Sequence, residues 1–313
     1  MLNITQNHLV LGGNGAIGSA VINELKKRNI KVEALTMSGE VNGIKTINAD
    51  LLDLNKFTEV TRGFSHIYLC IGLPYKTKIW EEAWPVIMEN TISVCKTNNL
   101  KLIFFDNTYM YGPPPLPTAF DENTTQTPIS KKGMVRKKIA DRLLEEIKSK
   151  KIEALIGRSA DFYGPKAINS TLYISFLERM LKGQNPQLAF PINVAHTFAY
   201  TEDNAKALVD LATEESAYGE VWHLPVGKPI TVEEILFMFN KYLNTNLKAD
   251  ILPRPAITIL KLFITPLREV SETLYQFRTP YIMSDAKFMN KFPNFKVTSY
   301  EEGVSKMIAS FKK

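Results

Sequence analysis

Apolar residues in the first half of the chain fall into short continuous runs, separated by longer stretches in which they recur three and four positions apart. The runs are "NHLVLGG" (7–13), "KVEALTM" (31–37), a segment of "GIKTINADLLD" (43–53), "HIYLCIG" (66–72), "KLIFFDNTYMYG" (101–112) and "KIEALIGRSADFYG" (151–164), and they predict six strands. The stretches between predict helices: "GAIGSAVINELKKRN" (15–29) with Ile17, Val21, Ile22 and Leu25 on one face, "LNKFTEVTRG" (54–63), "WEEAWPVIMENTISVCKTNN" (80–99) and "GMVRKKIADRLLEEIKSK" (133–150). Pro85 is expected in the first turn of its helix or at a kink. Strands that are apolar throughout belong to a sheet covered on both faces, and strand–helix alternation implies parallel pairing with right-handed crossovers. The expectation is an α/β fold with a doubly wound parallel sheet and a site along the carboxyl ends of its strands.

After residue 165 the rhythm loosens. "STLYISFLERMLKG", "TEDNAKALVDLATEE" and "TVEEILFMFNKYLN" read as helices, with short strands such as "EVWHLP" between them. This predicts a second, smaller, partly interleaved α/β domain. The dinucleotide-binding domain takes 1–165 plus about 195–216, and the substrate-binding domain takes 166–194 and 217–313.

The junction of the first strand and helix carries the most specific chemistry. "LVLGGNGAIGSAV" sets Gly12, Gly15 and Gly18 in the spacing G-x-x-G-x-x-G. Gly12 permits the tight turn, Gly15 clears space for a pyrophosphate, and Gly18 lets the helix pack on the sheet, as in a Rossmann dinucleotide site. The amides of Asn14, Gly15, Ala16, Ile17 and Gly18 then face the phosphates at the positive end of the helix. Asp50 and Leu51 are expected to border the adenine, an aspartate capping the next helix being the other use of that stretch. Ile71 and Gly72 are expected beside the middle of the cofactor. The second strand ends in "ALTMSGE", with neither the acid that selects NAD nor the arginine that selects NADP. Thr36 and Ser38 can hydrogen-bond either, so the choice between NAD and NADP stays open.

Composition narrows the partners. A net charge of +6 arises from 38 basic and 32 acidic residues spread along the helices, which gives no nucleic-acid footprint. Two cysteines, Cys70 and Cys95, sit in apolar surroundings without disulfide or metal spacing, and no histidine pair has ligand spacing, so no metal is expected. The first residues lack a signal-peptide pattern, and the cytoplasm is the expected location. The longest apolar stretch, "PAITILKLFITPL" (255–267), is too short to span a bilayer and is broken by Lys261. It is expected in a core or at a homodimer interface ahead of a monotopic membrane contact, and no stable membrane insertion is expected.

Taken together, "GGNGAIG", "ADLLD", "DNTYMYGP", "GRSADFYGP" (157–165), "HTFAYTEDNAKAL" (196–208) and "EVWHLPVGKPITVEEI" (220–235) resemble an extended or atypical short-chain dehydrogenase/reductase of the NAD-dependent epimerase/dehydratase family, over nearly the whole chain. The resemblance implies a serine or threonine four residues before the tyrosine of the strand's "YG" end; here that position is Asn107, before Tyr111. The dehydratase carboxyls fall on Thr108 and Tyr109, so that chemistry is absent. The family's Tyr-x-x-x-Lys pair, in which lysine holds the ribose and lowers the phenol's pKa, falls on Gly133 and Lys137. Half of the pair survives. Tyr109 is the candidate replacement proton donor, with a pocket-wall aromatic as its bland reading; water or a substrate group is a second proton source. Lys137 in "RKK" equally suits a solvated helix face.

The N-x-x-G-T pattern of sugar-nucleotide members is absent before the fifth strand. The resemblance further places the loop of Arg158 and Tyr163 over the nicotinamide, Arg158 also suiting a structural ion pair, and gives Tyr275, Phe277 and Tyr281 to a substrate pocket or a core. His8, His66, His196 and His223 are given no catalytic role. The expected function is an NAD(P)-dependent oxidoreductase or epimerase acting on a small carbonyl or hydroxyl compound through Asn107, Thr108, Tyr109 and Lys137. The alternative is a catalytically silent NAD(P)-binding regulator.

Overall fold

The structure is a computed structural model that describes residues 6–312; the first five residues of the segment read for a signal peptide lie outside it. Two compact units are present. The first comprises 1–106, 135–158 and 204–222, and the second 107–134, 159–203 and 223–313. The sequence expectation placed 107–134 and 159–165 in the first domain. The chain instead leaves the sheet at residues 106 and 158 and packs with the C-terminal segment.

The first unit is built on strands β1 (Asn7–Leu11), β2 (Lys31–Thr36), β3 (Thr46–Asn48), β4 (His66–Leu69), β5 (Lys101–Asp106) and β6 (Ala154–Arg158), with Val221–His223 as a seventh beside β6. The order from that seventh strand is β6-β5-β4-β1-β2-β3, and β1 to β6 pair in parallel. This is the doubly wound sheet the sequence predicts, with the order reversing on either side of β1. "EVWHLP" supplies its edge strand, a correction to its expected place among the strands of the second domain.

Helices α1 (Ala16–Lys27), α2 (Leu54–Val60), α3 (Thr77–Asn98) and α4 (Lys131–Lys148) follow β1, β3, β4 and β5. Pro85 lies well inside α3 rather than in its first turn, because the helix begins at Thr77. The fifth strand stops at Asp106, six residues short of the predicted end. Asn107 Oδ1 accepts a hydrogen bond from the Tyr109 amide at 3.1 Å, an Asx turn that draws the backbone out of the ladder. The predicted sixth strand is two: β6, and Asp161–Tyr163, which pairs in parallel with Phe198–Tyr200 in the second unit.

The second unit has its own core of Phe176, Leu177, Phe198, Ile235, Phe239, Val304 and Met307. It has no room at two glycines: a Cβ on Gly227 would meet Tyr300, and one on Gly303 would meet Tyr163.

At the amino ends of β1 and β4, His8 and His66 are buried and stacked, ring centroids 4.2 Å apart. His8 Nδ1 pairs with the Tyr68 hydroxyl at 3.2 Å, and Ser65 Oγ with His66 Nδ1 at 2.8 Å. Burial and the His66 neighbour push His8 down to about 3, and burial with the Lys101 charge pushes His66 down to about 4. The unfolded chain, with ordinary histidines near 6.5, binds these protons first, so stability present above about pH 6.5 is lost as pH falls toward 4. Urea titrations should show stability dropping with a slope of up to about 1.4 kcal/mol per pH unit per histidine in that window. A profile flat from pH 7 to 5 would contradict this.

Candidate active site

The β1–α1 turn is set by close backbone approach. Gly12 has φ +80°, and a Cβ there would lie 2.9 Å from Ile71 Cα; one on Gly18 would run into the Gly12 carbonyl. A fourth glycine, Gly13, unremarked in the sequence reading, faces Ala34 and Ile22, where a Cβ would come within 2.8 Å and 2.9 Å. Gly15 is the N-cap of α1, which has no side-chain cap and no acid in its first turn. Its first amides are therefore open to an anion. Asn14 and Gly15 are exposed, while Ile17 and Gly18 anchor the helix to the sheet.

Other cofactor candidates lie along the carboxyl ends of the same sheet. Ile71 and Gly72 follow β4, with Ile71 against Gly12. Leu51 is buried and Asp50 exposed after β3; Asp50 Oδ1 accepts from the Leu52 amide at 2.9 Å, and the α2 cap is Asp53, accepting from Lys56. Asn90 of α3 donates to the carbonyls of Leu51 (2.8 Å) and Leu52 (3.2 Å), fixing that turn. The Thr36 hydroxyl donates to Gly39 O at 3.3 Å, so of the two hydroxyls at the end of β2 it is Ser38 that stands exposed. These residues fit a dinucleotide: a cradle that any Cβ would fill, beside amides without a side-chain acceptor.

At the end of β5 a node appears that sequence reasoning missed. Asp106 is 1% exposed and takes two guanidiniums: Arg136 Nε at 2.7 Å and Nη2 at 2.5 Å on one oxygen, Arg158 Nε at 3.3 Å on the other. Arg136 also lies over Trp84 (4.4 Å) and Phe104 (4.9 Å). Arg158 is thus the structural ion-pair partner, one of its two predicted uses.

In the second unit, Asn107, Thr108 and Tyr109 form the turn after β5, held by its backbone. The Tyr281 hydroxyl donates to Thr108 O at 2.8 Å, and that of Tyr275 lies 3.3 Å from Tyr109 O and Tyr111 O. Tyr275, Phe277 and Tyr281 are buried as core, and burial holds the Tyr281 phenol far above the usual tyrosine range, unsuited to proton transfer near neutrality. Tyr111 hydrogen-bonds His223 Nε2 at 2.7 Å. His196 Nε2 pairs with Asp161 at 2.9 Å, its ring stacked on Phe277.

Gly133 sits where no side chain fits. A Cβ would run into the Tyr109 carbonyl and lie 2.8 Å from Ser130 Oγ, which itself accepts from the Gly133 amide at 3.0 Å. Lys137 lies on the half-exposed flank of α4 and pairs with Asp141 at 2.6 Å. The buried stripe of α4 runs through Lys132, Val135, Arg136, Ile139, Ala140 and Leu143. Lys132, fully buried, is ringed by Glu269 Oε2 (2.7 Å), Glu269 O (3.1 Å) and Glu272 Oε1 (2.7 Å). Only long-range partners identify it; locally "KK" reads as a surface pair.

The profile of the NAD dependent epimerase/dehydratase family matches residues 8–224. The chain belongs to that family. It is thereby placed in a class of NAD(P)-dependent enzymes. A provisionally assigned UDP-glucose 4-epimerase of Methanocaldococcus jannaschii is 27% identical over 255 residues, 72% of this chain and 79% of that protein. Among solved structures, the Thermus thermophilus UDP-glucose 4-epimerase in complex with NAD superposes at TM-score 0.79 with 19% identity, over 98% of this chain and 99% of the other. The dTDP-glucose 4,6-dehydratase DesIV of Streptomyces venezuelae, with NAD bound, does so at TM-score 0.78 and 14% identity, over 98% and 97%. At such identities these structures bear on the fold.

Two substitutions probe the geometry. Gly133→Ala should cost about 1–3 kcal/mol by overpacking against the Tyr109 carbonyl, read as a lowered Tm; an unchanged Tm would mean the contact is slack. Asp106→Asn should destabilise by about 3–5 kcal/mol, since two buried guanidiniums lose their counter-charge; a loss under about 1 kcal/mol in urea unfolding would show the node to be dispensable.

Proposed function

We propose that this chain is an NAD(P)-dependent oxidoreductase or epimerase acting on a small carbonyl or hydroxyl compound. The β1–α1 turn carries the reading: it combines the three spaced glycines with a helix start that has no cap of its own. Asn14, Ala16, Ile17 and Gly18 hold the pyrophosphate through backbone amides, while Gly15, whose amide donates to Gly12 O at 2.9 Å, contributes by leaving space for it. Asp50 and Leu51 border the adenine, Thr36 and Ser38 the ribose, and Ile71 and Gly72 the middle of the coenzyme. The bound coenzyme supplies a hydride acceptor or donor.

The chain's own residues then have defined tasks. Asn107, whose Oδ1 accepts from the Tyr109 amide, is the residue that meets a substrate oxygen in this reading. Thr108 and Tyr109 follow in the same turn, whose carbonyls are held by Tyr281 and Tyr275. Tyr109 is the proton donor in this reading. Lys137 joins only by exchanging its ion pair with Asp141 for the ribose. The relatives' sugar-nucleotide activities support a hydroxyl-bearing substrate; the missing N-x-x-G-T pattern weighs against a nucleotide-linked one.

A second reading, a catalytically silent NAD(P)-binding regulator, draws on two observations. The position matched to the catalytic tyrosine is a glycine without room for a side chain. The two buried cations one turn apart on α4, Lys132 and Arg136, are both held in ion pairs.

NADH and NADPH titrations of wild type and Gly18→Val come first, because neither an acid nor an arginine at the end of β2 selects between them. Wild type should bind at least one coenzyme and the variant neither; a wild type that binds neither would sink both readings. A carbonyl panel followed by loss of the nicotinamide absorbance then separates them. Turnover that falls about 100-fold or more in Tyr109→Phe fits the enzyme and its proton donor. Full activity in the variant removes Tyr109 from that role, and coenzyme binding without turnover on any substrate fits the regulator.

A further inference from the structure

The apolar stretch 255–267 is mostly open. It folds as the helix Arg254–Phe263, a bend at Ile264, and the helix Thr265–Ser271. Of its large apolar residues Ile257 alone is fully buried. On the first helix Pro255, Ile259, Leu262 and Phe263 stand at i, i+4, i+7 and i+8, one continuous face opposite Ile257. That face is open: Ile259 is 59% exposed, Leu262 68% and Phe263 80%, and Ile264 and Val270 extend it through the bend. Single apolar residues on a surface need no explanation, but a contiguous set on one helix face marks a surface that meets an apolar phase or partner.

The charges around this face are of one sign. Arg254 and Lys261, seven residues apart, line one flank of the helix, and Arg268 follows on the second helix. Their side chains form no ion pair among the described residues. Glu269 of the second helix and Glu272 just after it point the other way, since both are drawn into Lys132 and Glu272 also accepts from the Lys131 amide at 2.9 Å. The outward surface therefore joins an apolar face to three unpaired cations.

We propose that the segment 254–271 is a peripheral docking surface for an anionic lipid bilayer. Ile259, Leu262, Phe263 and Ile264 enter the boundary between headgroups and acyl chains, while Arg254, Lys261 and Arg268 sit among the lipid phosphates. This is the arrangement of an interfacial helix with an apolar face and flanking cations. No helix among the described residues is long and apolar enough to cross a membrane, so the contact lies in the surface plane. A short helix of this kind gives weak, reversible, salt-sensitive attachment. A second copy of the chain suits the site less well, because a two-fold contact would bring the same unpaired cations together.

Co-sedimentation of the full chain with vesicles of phosphatidylcholine containing phosphatidylglycerol tests this, with pure phosphatidylcholine vesicles alongside. Wild type should bind the anionic vesicles, with little retention on the neutral ones and weakening as salt rises. Leu262→Ser/Phe263→Ser should lower the partition coefficient about tenfold or more, as should Arg254→Gln/Lys261→Gln/Arg268→Gln. Neither set belongs to the coenzyme turn, all but the half-buried Lys261 are exposed, and unchanged Tm and coenzyme titrations show that each variant is folded. Absence of vesicle binding by wild type overturns the proposal. So does self-association that the serine pair abolishes without any vesicle binding, which assigns the face to a second copy. Vesicle binding that neither variant reduces moves the contact elsewhere on the chain.

Discussion

One buried carboxylate fixes the geometry of the first unit. Asp106 ends β5 and holds Arg136 of α4 and Arg158 of β6 with its two oxygens. Charges taken out of water are tolerated only when paired, and removing one partner leaves the others stranded. The last residue of β5, the last of β6 and the second turn of α4 are thereby tied to one point. Because the Arg136 guanidinium also lies on Trp84 and Phe104, α3 joins the same point through a planar cation on aromatic faces. A lysine would keep the charge but lose both the forked contact and the stacking.

Past that point the chain changes unit, and another device takes over. The turn 107–111 offers carbonyls rather than side chains to its supports: Tyr281 takes Thr108 O, and Tyr275 lies over Tyr109 O and Tyr111 O. The Phe120 amide bonds Ile282 O, and Glu269 and Glu272 hold the start of α4 through Lys131 and Lys132. Residues 269–282 thus run as a rail along 107–133. Supports that grip backbone fix the course of this turn whatever side chains it carries, as preorganisation requires. Tyrosines suit the task because each brings apolar area and one hydroxyl that buried surroundings oblige to find an acceptor.

The strands, the glycine turn and the family were legible because each is written locally. Continuous apolar runs, a three-residue glycine spacing and a strand–turn–helix context lie within short windows of sequence. What was not legible depends on partners far along the chain. Asp106 looked like one more residue of a strand, because Arg136 and Arg158 stand 30 and 52 positions away. The local sequence gives Lys132 no partner, because its glutamates are 137 and 140 positions off. The strand ends at 106 and 158 were overrun for a related reason: apolar residues continue past both, but into the core of the second unit. The stretch 255–267 was expected in a core or at a homodimer interface, and within one chain the fold leaves most of it open.

The helix that carries the family's catalytic pair shows why spacing alone could not finish the reading. Counting along the sequence puts the pair at 133 and 137, one turn apart, and the structure keeps the turn but not the residues. Gly133 is closed off by the Tyr109 carbonyl, and Lys137 stands on the flank. The buried residues one turn apart are Lys132 and Arg136, one step earlier, and each already holds carboxylates. A helix rotates 100° per residue, so a one-residue offset decides whether a side chain enters a site or leaves it. α4 carries no tyrosine, so no phenol–lysine couple forms on this helix. In the proposed reading the proton then comes from Tyr109 in the turn after β5, with water or a substrate group as the other source.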